Sequence, residues 1–177
     1  MGPTVVNGLP AHVLLVHFVV VLVPLASLLL TLAVCWPTAR VRLGFLTPLI
    51  AFIAMVAVPL TSHSGEWLAH RVYRDPLILQ HMHLGDELLI WSAATFLLAA
   101  VWWGLHSDRV MRRLRPRLPR IDALTASRAV AVTLAVVAVV VAVGAVVQVY
   151  RIGDSGAQAA WHGRVPTGQS EATPGLR

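Results

Sequence analysis

Four apolar runs dominate this chain, and each is long enough to cross a bilayer. They cover residues 13–36, 43–60, 84–105 and 129–149. A helix rises about 1.5 Å per residue, so roughly 20 residues span a hydrocarbon core of ~30 Å. Charged residues make up 12% of the chain and mean hydropathy is +0.73. A soluble domain of this length carries about a quarter charged residues, so the sequence excludes an ordinary water-soluble domain. The expected fold is an all-α integral membrane protein, an antiparallel four-helix transmembrane bundle over residues 1–150. Pro24, Pro48 and Pro59 fall inside the runs, where neighbouring helices can re-satisfy the freed carbonyls. The tail, residues 151–177, is rich in Gly, Ser, Pro and Gln and is expected to be disordered. No internal repeat is evident.

Charge sets the expected orientation. All fourteen basic residues are Arg, and six of them (Arg109, Arg112, Arg113, Arg115, Arg117 and Arg120) fill the link between the third and fourth runs. With four spans this link shares a side with Arg40 and Arg42, and the positive-inside rule makes that side cytoplasmic. Residues 61–80 and both termini then face outward. The implied location is a bacterial inner membrane. A basic stripe can also mean nucleic acid, but the gathering of six Arg in one short link between apolar runs argues against it. Cys35 is the one cysteine, which excludes an intrachain disulfide and a cysteine-based zinc site. The start of the chain lacks a positive segment, so the first run reads as a retained helix.

Six of the eight histidines collect at the outward end: His12, His17, His63, His70, His81 and His83. At about 100° per residue, His12 and His17 are about 140° apart on a helix, and His81 and His83 about 200° apart. Only one of each pair can point inward. His17 lies roughly 7 Å deeper than His12 along the axis. Polar groups at depth tend to face the bundle interior. The expected axial pair for a b-type haem is therefore His17 with His81 or His83, with His12 and His63 in support.

Carboxylates accompany the imidazoles. Glu66 with His70, and His83 with Glu87, are each four apart and share a helix face. His63, Glu66, His70, His83 and Glu87 thus form a second expected set, suited to Zn, Fe or Cu. A histidine on an apolar helix can also be a packing residue, and the tryptophans fit an interface belt better than a cofactor box. No Gly-x-Ser-x-Gly elbow and no phosphate-binding glycine loop is present, so no reaction is assigned.

The stretch Gly8-Leu9-Pro10-Ala11-His12-Val13-Leu14-Leu15-Val16-His17-Phe18 resembles the opening of a bacterial family of four-helix membrane proteins of unknown function. That family opens on His-Pro-Leu-Leu-Val-His-Phe-Pro. Thr61-Ser62-His63-Ser64-Gly65 and His81-Met82-His83-Leu84-Gly85 resemble two of its further patches, so the likeness spans residues 8–105. The chain departs at Val13 and Val19, where the family often has Pro. Some members are fused to Rieske iron–sulfur domains, which implies a redox context; this chain has no Rieske cysteines. The positions that carry over are His12, His17, His63 and His81 or His83.

Together these readings lead to a membrane-embedded, redox-associated protein with an outward His-rich site, holding one b-type haem. A non-haem metal protein and a cofactor-free structural or assembly subunit are the alternatives. Expected partners are the lipid bilayer and other membrane redox subunits or further copies of the chain.

Overall fold

The computed structural model describes residues 5–6, 8–71, 75–118 and 121–162. A short antiparallel pairing of β1 (Val5–Val6) with β2 (Leu9–Pro10) leads into α1 (Ala11–Cys35). Then follow α2 (Pro37–Leu43), α3 (Leu46–Ala69), α4 (Pro76–His106), α5 (Asp108–Leu114), α6 (Ile121–Ala126) and α7 (Arg128–Trp161). The four long helices, α1, α3, α4 and α7, are each long and apolar enough to cross a membrane. Val, Leu and Phe side chains cover their outer surfaces, among them Phe18, Val21, Ile90, Leu97, Val136 and Val140. So much exposed apolar surface would aggregate in water and suits a lipid bilayer.

Three helices run further than their apolar runs. The third starts at Pro76, capped by the Asp75 carboxylate, which accepts from the Leu77 N–H. The second continues through the polar stretch to Ala69. The last reaches Trp161, so disorder from residue 151 is corrected for residues 151–161, which are helical. Composition misled there because this end packs on α4, where the Ile152 carbonyl and Ser155 meet His81, while Arg151, Asp154 and Gln158 bond within the helix itself. The rest of the expected disordered tail, residues 163–177, lies outside the described residues, as do Tyr73 and Arg74.

In the bundle, α1 and α4 each pack against both α3 and α7. The core is narrow because small residues line it: Ala51 and Ala54 of α3, and Ala138, Ala142 and Ala145 of α7. Small side chains let helix backbones approach closely where lipid supplies no hydrophobic drive. Gly144 receives the Trp91 ring so closely that no Cβ would fit.

Contrary to the expectation of no repeat, α1 with α3 and α4 with α7 are two hairpins of one pattern. Buried Val19, Val23, Ala26, Leu30 and Ala33 of α1 match buried Leu88, Ser92, Thr95, Ala99 and Trp102 of α4, counted from His12 and His81. Buried Thr47, Ala51, Ala54, Val58 and Ser64 of α3 match Ala138, Ala142, Ala145, Val149 and Ser155 of α7. Heptad-like spacing alone would align many helices. What makes the halves equivalent is that matched residues meet across the bundle at both ends. The rings of His12 and His81 touch at one end, and the Trp102 Nε1–H donates to the Ala33 carbonyl (3.1 Å) at the other. Matched burial and matched contacts at both ends thus make the two hairpins equivalent halves. Side chains diverged too far for the repeat to be read directly from the sequence.

Candidate functional site

At the end where α1 and α4 begin, the bundle opens into a cavity of about 740 Å³. Its wall is largely apolar, with Val16, Val19, Val20, Val58 and Leu88, and both His12 and His81 line it.

One device, used twice, holds these two rings. His12 Nδ1–H donates to the Thr61 carbonyl of α3 (3.0 Å). His81 Nδ1–H donates to the Ile152 carbonyl of α7 (3.1 Å). Three residues on, Ser64 Oγ donates to that same Thr61 carbonyl (2.8 Å), and Ser155 Oγ to that same Ile152 carbonyl (3.0 Å). Ser155 Oγ also lies 3.1 Å from His81 Nδ1 and accepts from it. Four residues on come Gly65 and Gly156, whose bare Cα atoms let the rings lie against the helix. A Cβ on Gly65 would sit 2.9 Å from His12 Cε1, and one on Gly156 would sit 3.0 Å from His81 Cε1.

The tautomer follows from these partners. A carbonyl oxygen only accepts, so each Nδ1 carries the proton and each Nε2 keeps its lone pair. Among the described residues neither Nε2 has a hydrogen-bond partner. The ring centres are 6.4 Å apart and the ring planes are at 84°. Two rings with an unprotonated Nε2 thus line one chamber, each aligned by a backbone carbonyl. Metal-bound histidines are commonly fixed in this way.

The histidines expected to share this site do not all reach it. His17 is exposed, and its Nδ1–H turns back to the Val13 carbonyl of its own helix (2.6 Å). His12 takes the inward place, correcting the choice of His17. Depth alone was a poor guide, because Thr61 and Gly65 of α3 supply a seat one turn higher. His83 is exposed as well and pairs with Glu87 (3.4 Å), leaving the inward place to His81. His63 is exposed and lies 3.7 Å from Glu66, three residues on. His70 is exposed at the end of α3. The set His63, Glu66, His70, His83 and Glu87 is therefore dispersed. Among the described residues no group of three or more His, Cys, Asp or Glu is arranged to hold a metal ion.

Several members of the site were not anticipated: the Thr61 and Ile152 carbonyls, Ser155 and Gly156, and His162, which also lines the cavity. The sequence did carry one signal, the dipeptide Ser-Gly at 64–65 and again at 155–156. Acidic side chains, Glu66, Asp75 and Asp86, also line the cavity, and among the described residues no Arg does.

No family model, curated protein or solved structure matches this chain.

Proposed function

We propose that this chain is an antiparallel four-helix bundle of the bacterial inner membrane, with both termini outward, and that its outer cavity holds one b-type haem between His12 and His81 in an electron-transfer context. The observation that carries this reading is the paired, equivalent anchoring of the two rings. The ring centres of His12 and His81 are 6.4 Å apart, and each ring leaves Nε2 unprotonated. Two neutral imidazoles on facing helices would suit the iron of a haem. They do not suit an acid–base pair, which needs unlike environments for its two members.

The residues have separate tasks. His12 and His81 are the ligands. Thr61, Ile152 and Ser155 fix their tautomer and rotation, and Gly65 and Gly156 allow the rings to seat. Val16, Val19, Val20, Val58 and Leu88 supply an apolar wall that excludes water. A bound haem would supply one-electron chemistry, with ligation, burial and local charge setting its potential.

The acidic lining favours a second reading. Haem carries two carboxylates, and among the described residues no Arg lines the cavity to meet them. A single Zn, Fe or Cu ion at His12 and His81 would instead be attracted by Glu66, Asp75 and Asp86, although they would have to move to complete its shell. Haem and metal content per chain of the detergent-purified protein tests both. One haem per chain supports the first reading, and stoichiometric metal without haem supports the second. Protein lacking both, purified without chelators, would favour a structural or assembly subunit.

A further inference from the structure

The two hairpins differ on one outer face. In the second, a chain of polar contacts runs across α4 and α7. His83 Nε2 lies 3.4 Å from a Glu87 oxygen, and Gln148 Nε2 donates to the other Glu87 oxygen (3.0 Å) and to the Leu84 carbonyl (2.8 Å). An Arg151 guanidinium N–H donates to Gln148 Oε1 (3.2 Å). Counted from the matched histidines and matched carbonyls, the first hairpin has Leu14, Phe18, Ala57 and Leu60 at these places.

Leu14, Phe18 and Leu60 are 39%, 61% and 48% exposed. Under the membrane reading this is surface that touches lipid chains. The repeat matches His83, Glu87 and Arg151 to these places, Glu87 inside its apolar run and His83 and Arg151 just beyond the ends of theirs, and they also face outward. The side chains of His83 and Glu87 are 78% and 40% exposed, and Arg151 is exposed too. Ionisable side chains facing hydrocarbon are costly and rare, and at membrane depth they are normally covered by protein.

We infer that a second copy of this chain covers the α4–α7 face, in a two-fold dimer in which Glu87 of one copy meets the partner's Arg151. The face carries one acid and one base close together, bridged by Gln148. A two-fold contact presents the same patch twice, so such a face is complementary to itself. The α1–α3 face, with Leu14, Phe18 and Leu60, stays in lipid. This inference rests on the membrane reading, but not on a cofactor.

Cysteine cross-linking of the full chain in native membranes tests it. In a Cys35→Ser background, His83→Cys should give a disulfide-linked dimer on mild oxidation, and Leu14→Cys, its match in the first hairpin, should not. Glu87→Arg or Arg151→Glu, added to His83→Cys, should abolish the cross-link, and the two reversals together should restore it. Native mass spectrometry from detergent should give the dimer mass for the unsubstituted protein. A monomer mass without a His83→Cys cross-link, or equal cross-linking at Leu14→Cys, would overturn the dimer. If that monomer leaves membranes only with detergent, the dimer alone fails. Release by alkaline carbonate would remove the membrane reading with it.

Discussion

His12 and His81 occupy equivalent places in two matching hairpins, and their ring centres lie 6.4 Å apart. Each ring is oriented by the carbonyl of a neighbouring helix and seated against a glycine one turn further on. The consequences concern side chains that never touch a ligand as much as the ligands themselves.

The glycines are expected to be intolerant of the smallest substitution. In Gly65→Ala and Gly156→Ala the new methyl would press on ring atoms at 2.9 and 3.0 Å, so the imidazole must shift. Overpacking of this kind costs about 1–3 kcal/mol. Thermal unfolding of the purified variants should show that loss, and cofactor content should fall with it. Gly104→Ala, where the nearest atom is Val110 Cγ1 at 3.7 Å, should leave both unchanged.

The two serines should differ although their places match. Ser155 Oγ accepts from the His81 ring, whereas Ser64 Oγ contacts only the Thr61 carbonyl. Ser155→Ala should weaken ligand retention by ~0.5–1.5 kcal/mol, the usual net worth of one hydrogen bond. Ser64→Ala should do less. Competition of the bound cofactor against an apo-protein acceptor would measure the difference.

Gln148 is buried and serves both the Leu84 carbonyl and Glu87. Gln148→Leu removes both bonds and leaves the Glu87 carboxylate without its donor. A cost of about 1–3 kcal/mol follows from stranding a partly buried polar group. The unfolding midpoint should drop in the variant, and Glu87→Gln, combined with it, should recover part of the loss.

At the opposite end, the Trp102 Nε1–H and the Arg40 Nε–H both donate to the Ala33 carbonyl, at 3.1 and 3.0 Å. The Arg40 guanidinium also lies over the Trp102 ring, 5.0 Å from its centre. Trp102→Phe keeps an aromatic ring but loses the donor and part of the buried indole, so it should cost about 1–3 kcal/mol of stability without altering the cofactor. Cofactor loss in this variant would mean that the two ends of the bundle are coupled.

The spans were legible because apolar length is a one-dimensional signal: residues 13–36 and 129–149 fall wholly within α1–Trp36 and α7. The collection of histidines at one end of the bundle was legible too, since it needs only the order of the long helices. Which histidines turn inward was not. Periodicity shows that His12 and His17 diverge, but the choice depends on α3 offering the Thr61 carbonyl and the gap at Gly65. The same holds for His81 over His83, decided by Ile152 and Gly156 in a segment whose composition reads as tail. The repeat is hidden in the sequence because matched positions keep burial but neither identity nor size, as Leu30 with Ala99 and Ala33 with Trp102 illustrate.

The central claim is that His12 and His81 are the two ligands of one haem. A reduced-minus-oxidised visible spectrum of the detergent-purified protein tests it most directly, run beside His12→Ala, His81→Ala and His17→Ala. The account predicts a Soret band that sharpens on reduction, kept in His17→Ala and lost in each of the other two. A colourless wild-type protein, or a band that survives both His12→Ala and His81→Ala, would contradict it.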